Sequence, residues 1–264
     1  MPANPLVNNN NNIINNVITS KFIGVDLGRK TLFAAASQTK QWSWSNKTWQ
    51  FESGSTKAKR KLQRWKAKEG IDLIEQNIPS HCTTNGELLL DWFNYTVRHL
   101  DTLCEFYHQT KCRRLKFTQY RKHQIAYAKM AKSVGGSPRS GNIIALGNPT
   151  FSGSTHGYAP TPTVSAVKAL QRYHKVLLVD EYMTSQCCSK CFNKLDKVKH
   201  TILITDRQTK LQTLRRVNNF RVLYCPTCKI FWNRDNNSAH NMRTLAIQRE
   251  MYRTRPAQFS RPTK

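Results

Sequence analysis

The chain has 264 residues, and its 42 lysine and arginine residues against 15 acidic residues give a formal net charge of +27. A surface this basic repels itself, so a polyanion is the expected partner, and nucleic acid is the leading candidate. An uninterrupted apolar run long enough to cross a bilayer does not occur, which argues against a membrane partner. A merely solvated or ribosome-associated basic protein is the plain alternative.

Eight cysteines occur in the chain. Residues 1–20 are rich in asparagine and lack the apolar core of a secretory signal. We therefore expect a reducing, intracellular compartment, where paired cysteines usually bind metal. Basic clusters such as KAKRK (57–61) serve as nuclear signals or as phosphate contacts, and a nuclear location is expected.

Residues 1–20 are predicted to be a disordered, low-complexity arm. Short apolar runs follow at 21–28 and 30–37, and residues 41–51 alternate apolar and polar side chains as a half-buried strand does. Three such strands joined by tight turns form an antiparallel meander.

Residues 57–134 change to a helical period. Their apolar positions recur every three or four residues, at Leu89, Trp92, Phe93, Val97, Leu100, Leu103, Phe106 and Tyr107. A second helix interleaves basic and aromatic residues. We predict phosphate contacts for its basic side chains, and a solvated charged face over an apolar stripe is the alternative. The predicted nucleic-acid-binding residues are Arg113, Arg114, Lys116, Arg121, Lys122 and, further along the chain, Arg234.

Residues 142–148 and 175–181 are typical of buried strands, and a helix is predicted between them over Thr163–Tyr173. A strand, a helix and a strand at this spacing predict a parallel pair. Combined with the meander, this arrangement indicates the α/β class with a mixed sheet.

Two CxxC pairs, Cys188/Cys191 and Cys225/Cys228, are separated by 33 residues. A two-residue gap lets both thiolates of a pair bind one ion, so the four cysteines predict a structural Zn²⁺ site. Cys187 could take the place of Cys188, although the spacing to Cys191 favours Cys188. The cysteines of the helical region, Cys82, Cys104 and Cys112, are predicted to be packed thiols.

The scarce acidic residues lie at the ends of predicted core elements. Asp26 ends the first strand, Asp180 and Glu181 end the last strand, and Asp235 follows the second cysteine pair. Acids that converge in so basic a protein are costly unless cations neutralise them, and two Mg²⁺ ions would do so. The alternative is that Asp26 caps a turn and Asp235 caps a helix.

Three motifs carry a family resemblance: GVDLG, LLVDEYMTSQCCSKC and YCPTCKIFWNRDNNSAHNM. They resemble the nuclease core and zinc ribbon of TnpB, a transposon-encoded transposase-like family that includes the eukaryotic Fanzor proteins and is related to type V CRISPR effectors. The segments CEFYHQTKCRRLKFTQYRKHQIAYA and LGNPTFSGSTHGYAPTPT resemble Fanzor in particular. The resemblance spans about residues 21–247.

The resemblance implies an RNase H-like (RuvC) mixed sheet with a helical insertion and an inserted zinc ribbon. It implies a nuclease core at 21–182 with the helical insertion at about 57–134, a target nucleic-acid-binding zinc ribbon at 183–232, a last nuclease segment at 233–248 and a basic tail at 249–264. In the family, the first and last aspartates, Asp26 and Asp235 here, bind the catalytic metals.

The sequence departs from the family in two places. TnpB-type members carry a glutamate at the end of the fourth strand, where this chain has Gly147 and Asn148. Fanzor-like members use a glutamate at the end of the next strand, which favours Glu181 over Asp180. Relatives also place a wedge and a recognition domain, which hold guide RNA, before the first aspartate, whereas 25 residues precede Asp26 here.

We therefore expect a DNA-binding, Mg²⁺-dependent endonuclease core that lacks this guide-RNA region, with Asp26, Glu181 and Asp235 as catalytic residues. DNA is the expected partner, with guide RNA as a second one. A catalytically inactive zinc-ribbon remnant is the alternative, and an unrelated RNA-binding zinc protein is a third hypothesis.

Overall fold

The computed structural model describes residues 18–147, 162–205, 208 and 211–262. Most of the predicted N-terminal arm and of the segment between Gly147 and Pro162 therefore lies outside the described residues. The chain divides into two compact units: one contains the described residues up to Asn46 and those from Ala128 onward, and the other is Lys47–Tyr127. No helix within the described ranges is long and apolar enough to cross a bilayer.

The first unit is built on a mixed five-stranded sheet with the strand order β3-β2-β1-β4-β5. Strands β1, β2 and β3 are antiparallel neighbours, whereas β4 runs parallel to both β1 and β5. The predicted meander and parallel pair are thus confirmed. The strand bounds are β1 Phe22–Leu27, β2 Thr31–Ala36, β3 Gln41–Ser45, β4 Ile143–Gly147 and β5 Lys175–Val179.

Strand β3 is shorter than the sequence predicts. The alternation of Trp42 and Trp44 continues only to Ser45, and residues 46–52 form a helix, α1, Asn46–Glu52. Asn46 and Trp49 are buried three positions apart, which is the spacing of a helical face and not of a strand. The expected strand over residues 46–51 was therefore wrong.

Two helices complete this unit: α7, Thr163–Tyr173, and α8, Arg234–Tyr252. The bounds of α7 are the predicted ones. Helix α8 carries buried Ala239, Met242 and Leu245 on one face and packs against β1 and β2. It extends past the predicted end of the last nuclease segment at 248. Beyond it, Phe259 is completely buried in the core, so the predicted basic tail also contributes to packing.

Helix α8 approaches β1 so closely that backbone meets backbone at Gly24. A Cβ atom on Gly24 would overlap the carbonyl oxygen of Ala239 and would also lie 2.6 Å from the backbone nitrogen of Arg243. Arg243 fixes the same contact from the side, because its Nε donates to the Phe22 carbonyl at 3.0 Å. Only glycine allows this approach.

An antiparallel three-stranded sheet with the order β6-β7-β8 forms the ribbon. Its strands are β6 Asp196–Thr205, β7 Gln212–Cys225 and β8 Ile230–Asn233. The long hairpin of β6 and β7 occupies most of the sequence between the two cysteine pairs. Strand β8 runs directly into α8, so the ribbon returns the chain to the main sheet at residue 233.

The second unit is helical, as predicted for this part of the chain. Ile71, Phe106 and Cys112 form its buried cluster. Cys82 and Cys104 are exposed, so the prediction that they are packed thiols was wrong, whereas Cys112 is buried. The helices are α2 Ser55–Lys68, α3 Ile71–Gln76, α4 Gly86–Arg98, α5 Leu100–His108 and α6 Thr110–Gly135, the last of which continues into the first unit.

We predict that Gly24→Ala destabilises the protein by roughly 2 kcal/mol or more, because the new methyl group meets backbone that cannot rotate away. Gly86→Ala is the matched control, since a Cβ atom there meets nothing within 4 Å among the described residues. Urea unfolding measures both. Equal stability of the two variants would contradict the close packing of α8 on β1.

Candidate functional site

Asp26 lies near the end of β1, where it meets two other acidic residues. It retains some solvent exposure, but protein atoms surround it closely. Burial is the largest cause that raises the pKa of Asp26 from 3.8 to about 7, and the negative charges of Glu181 and Asp235 add to it. A hydrogen bond from Ser238 and the charge of Arg234 act in the opposite direction. The three predicted catalytic carboxylates are therefore electrostatic neighbours.

Glu181 follows β5 by two residues and is partly buried. Its Oε1 atom is buried and has no hydrogen-bond partner among the described residues. Burial, and then the charge of Asp180, raises the pKa of this carboxyl group. A buried carboxylate oxygen without a partner is costly in free energy, and a bound cation would satisfy it.

Gly147, at the end of β4, leaves the space that Glu181 fills. A Cβ atom on Gly147 would overlap Glu181 Oε1 and would lie 2.7 Å from Cε of Met242. The end of β4 and the turn after β5 therefore present their side chains to the same place. A carboxylate from either position would reach it.

Asp180 is differently placed, although it is adjacent in sequence. Arg261 holds both of its carboxylate oxygens, with donor–acceptor distances of 3.0 and 2.9 Å. The hydrogen bond from Arg261 lowers the pKa of Asp180, against a smaller effect of burial. Asp180 is thus neutralised by the protein itself, whereas Glu181 is not.

Asp235 lies in the first turn of α8 but does not cap this helix. The cap is Asn233, whose Oδ1 accepts hydrogen bonds from the backbone N–H groups of Asp235 at 3.0 Å and Asn236 at 3.2 Å. The alternative that Asp235 is a helix cap is therefore wrong. Its carboxylate remains available to interact with Asp26.

Two buried asparagines of α8 tie this helix to the turn that carries Glu181. Asn237 and Asn241 each donate from Nδ2 to the carbonyl oxygens of Thr184 and Cys187, over distances of 2.7–3.2 Å. The hydroxyl of Thr184 lies 3.2 Å from that of Ser238, which in turn bonds to Asp26. Sequence reasoning missed these residues. Polar side chains at 237, 238 and 241 on an otherwise apolar helix face were the available signal.

The carboxylates suit Mg²⁺, which binds through one or two carboxylates and otherwise prefers water or phosphate oxygens. Among the described residues, the four cysteines are the only group of His, Cys, Asp or Glu whose ligand atoms all lie within 4.8 Å of one another. The carboxylates are therefore more widely spread than a cage for one ion.

The four cysteines Cys188, Cys191, Cys225 and Cys228 form a cluster that fits zinc. The Sγ atoms of Cys191 and Cys225 are 3.5 Å apart, and those of Cys188 and Cys228 are 3.9 Å apart. A tetrahedron with Zn–S bonds of about 2.3 Å separates its sulfurs by about 3.8 Å. Sulfurs in a disulfide would be about 2.05 Å apart, so these thiols are not paired covalently.

The surroundings of Cys188 favour a thiolate ligand. Burial raises its pKa, but hydrogen bonds from the backbone N–H groups of Cys191 and Lys190, from the Trp232 indole and from the Cys225 thiol outweigh burial and bring the pKa to about 7. Burial raises the pKa of Cys225, and hydrogen bonds within the cluster raise that of Cys228 to about 12, so without metal the thiols share protons. The indole Nε1 of Trp232 lies 3.3 Å from Cys188 Sγ. Cys187 instead packs in the core of the main sheet, so Cys188 is the residue of the pair that joins the cluster.

The predicted phosphate-contacting residues of α6 are all exposed. Arg114 and Lys122 line a groove of about 430 Å³ within the helical unit. Its other cations are Lys57 and Lys61 from α2 and Lys111 from α6. The structure therefore gathers two of the predicted residues into a basic groove, whereas Arg113, Lys116 and Arg121 do not line it. Arg234 belongs to the other unit and directly precedes Asp235 in the first turn of α8.

We predict that Asp26→Asn raises the melting temperature of the metal-free protein at about pH 8 by roughly 3–8 °C. Between about pH 4 and pH 7 the folded state holds the Asp26 proton that the unfolded chain has lost, so stability falls as pH rises through this window. The substitution removes that loss, and the difference disappears at about pH 4. Differential scanning calorimetry in both buffers measures it.

Asp180→Asn is the control for this experiment. Because Arg261 lowers the pKa of Asp180, the carboxylate contributes stability above its unfolded pKa, and its loss destabilises the protein at about pH 8. Destabilisation by Asp26→Asn at that pH would contradict the electrostatic account of the site.

We predict that the protein binds one Zn²⁺ per chain. The Cys225→Ser variant should lose this zinc, and its ribbon should become sensitive to protease, because the metal supplies much of the folding free energy of such modules. Elemental analysis and limited proteolysis measure the two effects. Cys82→Ser is the control, since this exposed thiol lies outside the cluster. Full zinc content in Cys225→Ser would show that Cys225 is not a ligand.

Comparison with known proteins found a family model and a solved structure that are similar to parts of this chain. Residues 164–242 match the family model "Cas12f1-like, TNB domain". A cryo-EM structure of a Cas12f1–sgRNA–target DNA complex matches with 13% identity and a TM-score of 0.40, over 83% of this chain and 48% of that one. The chain thus spans about half the length of that Cas12f1 protein. A comparison with curated proteins found no match.

Proposed function

We propose that this chain is the core of a RuvC-like, RNase H-like endonuclease that hydrolyses phosphodiester bonds in DNA with Mg²⁺. One observation carries the proposal: the charges of Glu181 and Asp235 both act on the buried Asp26, and no described residue forms an ion pair with any of the three as Arg261 does with Asp180. In a protein with 27 excess positive charges, acids held together in this way are suited to exogenous cations.

Asp26, Glu181 and Asp235 would hold the two ions, and Mg²⁺ supplies an activated water and neutralises charge on the phosphate. Each carboxylate has a distinct support in the fold. Asp26 is fixed by β1, Asp235 by the capped first turn of α8, and Glu181 by the turn that Asn237 and Asn241 hold. Arg234 adds a positive charge beside the site, where a strand would enter.

The zinc ribbon would guide the nucleic acid toward these carboxylates. Support comes from the match of residues 164–242 to the Cas12f1-like TNB domain model and from the sequence resemblance of the ribbon to the target nucleic-acid-binding ribbon of the TnpB family. The basic groove of the helical unit is a second candidate contact with phosphates, and guide RNA is the proposed partner there. Its five cations, Lys57, Lys61, Lys111, Arg114 and Lys122, line the groove without an acidic residue among the described lining residues.

We predict that the protein cuts end-labelled single-stranded DNA in Mg²⁺ and that Asp26→Ala, Glu181→Ala and Asp235→Ala each reduce cutting by at least about 100-fold. Single strands need neither unwinding nor a guide. Denaturing gels after timed incubation measure the rate. Asp180→Asn, assayed at a temperature where it is folded, is the matched control and retains activity.

A second pair of variants tests the position of the third carboxylate. Gly147→Glu in the Glu181→Ala background places a new acidic side chain at the position that Glu181 Oε1 occupies, and we expect its carboxylate to restore activity in part. Binding of DNA without cutting by the folded, zinc-loaded protein would contradict the nuclease proposal and support an inactive zinc-ribbon nucleic-acid-binding protein. Cutting that persists in Asp235→Ala would reveal a contaminating nuclease.

A further inference from the structure

A second cavity, of about 350 Å³, lies where the ribbon meets the start of α8. It is lined by side chains from the turn before β6, from β6 and β7 and from the first residue of α8. Those used below are Lys194, Leu195, Lys197, Asn219, Phe220, Leu223 and Arg234. None of the predicted nucleic-acid-binding residues except Arg234 belongs to it.

The hairpin carries a β-bulge of three residues at this cavity. Lys197 pairs with Leu223, but the next residue of β6, Val198, pairs with Asn219. Residues 220–222 of β7 therefore have no partner on β6. Bulges of this kind re-aim side chains and are frequent beside active sites.

The bulge holds one aromatic ring out of the protein. Asn219 Oδ1 accepts hydrogen bonds from the backbone N–H groups of Arg221 at 3.0 Å and Val222 at 3.2 Å, which fixes the backbone around Phe220. Phe220 is 71% exposed. An exposed phenyl ring on a hydrogen-bonded backbone is a preformed platform, and its position gives no gain in burial within the described chain.

Two apolar residues of this cavity pack against the cysteine cluster. Leu195 and Leu223 are buried and line the cavity, and both pack with Cys188 and Cys225. The bulge is therefore attached to the most constrained part of the ribbon. A platform supported in this way loses little conformational entropy when a ligand binds.

The charges around the ring are those that phosphate requires. Lys194, Lys197 and Arg234 line the cavity, and no acidic residue does so among its described lining residues. The nearest acids in sequence are Asp196, which is exposed on β6, and Asp235, which interacts with Asp26. An aromatic face beside two or three cations is the arrangement by which proteins bind single-stranded nucleic acid.

We propose that this cavity is a nucleotide subsite for a single nucleic-acid strand, in which Phe220 stacks on one base and Lys194, Lys197 and Arg234 contact the neighbouring phosphates. Because Arg234 directly precedes Asp235, a strand held here leads toward the carboxylates. The subsite rests on the proposed function, since it lies along the path of a strand to the carboxylates. Binding at the subsite itself needs no cleavage.

The test compares the affinities of the wild type and the variants for two oligonucleotides of about 12 residues. One is oligothymidylate, and the other is an abasic strand of equal length. Fluorescence anisotropy is measured on the full, zinc-loaded protein without Mg²⁺, so an inactive carboxylate site leaves the result unchanged. Phe220→Ala should weaken oligothymidylate binding roughly 5- to 150-fold and leave abasic-strand binding within about two-fold. Phe220→Trp should retain affinity.

The cations are tested through the salt dependence of the same binding. Lys197→Gln and Arg234→Gln should each weaken the binding of both oligonucleotides to the same extent. Each substitution should also lower the slope of log Kd against log salt concentration by about 0.7. Lys199→Gln, an exposed cation on β6 outside the cavity, is the control. An oligouridylate arm shows whether RNA is accepted as well as DNA.

If Phe220→Ala weakened the binding of both oligonucleotides equally, the ring would support the fold of the ribbon and would not stack on a base. This result would overturn the proposal. An unchanged affinity for oligothymidylate in that variant would overturn it too. If the protein did not cut DNA but the variants changed binding as expected, the nuclease proposal would be rejected and the subsite proposal would stand. Leu214→Ala, which removes an exposed apolar side chain from β7 outside the cavity, should change neither affinity.

Discussion

The contact between α8 and β1 at Gly24 determines the geometry of the whole site. Because no side chain separates the two backbones, the helix lies directly on the central strand of the sheet. The first turn of α8 then brings Asp235 close enough to Asp26 for the charge of Asp235 to raise the pKa of Asp26. Glu181 joins them because the same helix holds its turn through Asn237 and Asn241.

Helix α8 also connects the cysteine cluster to the carboxylates. Asn237 Oδ1 accepts from the backbone N–H of Ser189, within the first cysteine pair, while its Nδ2 holds the carbonyl of Cys187. One buried side chain therefore fixes both the entry to the ribbon and the turn after β5. Loss of zinc should consequently disturb Glu181 as well as the ribbon, although the two sites share no ligand.

The electrostatics of neighbouring residues explain why only some acids belong to the site. Asp180 and Glu181 are adjacent, yet Arg261 neutralises the first and leaves the second with a buried oxygen that lacks a partner among the described residues. In a chain of this charge an arginine could easily have paired with Glu181. Within the described chain no arginine pairs with Glu181, so its negative charge continues to repel that of Asp26. A divalent cation would relieve this repulsion.

Local patterns in the sequence were sufficient for much of this architecture. The two CxxC pairs identified the cysteine cluster, and apolar runs predicted five strands and helix α7 with little error. The helical start at Asn46 was missed because the tryptophans of β3 extend an apparent alternation toward Trp49. The burial of Phe259 and the exposure of Cys82 and Cys104 depend on tertiary packing, which period alone does not encode.

The candidate site was less accessible to sequence reasoning. The choice of Glu181 came from a family resemblance, and the space left by Gly147 is a property of the folded backbone alone. Phe220 drew no attention because its exposure depends on a bulge between residues far apart in sequence. Sequence spacing locates ligands that share one turn, such as cysteine pairs, but not those that converge from three separate elements.

The most direct test of the central claim is anomalous diffraction from crystals of the zinc-loaded protein soaked in Mn²⁺, a substitute for Mg²⁺. The account predicts Mn²⁺ bonded to carboxylate oxygens of Asp26, Glu181 and Asp235, with zinc retained by the four cysteines. An ordered site without Mn²⁺ between these carboxylates, at concentrations that support metal-dependent nucleases, would contradict it.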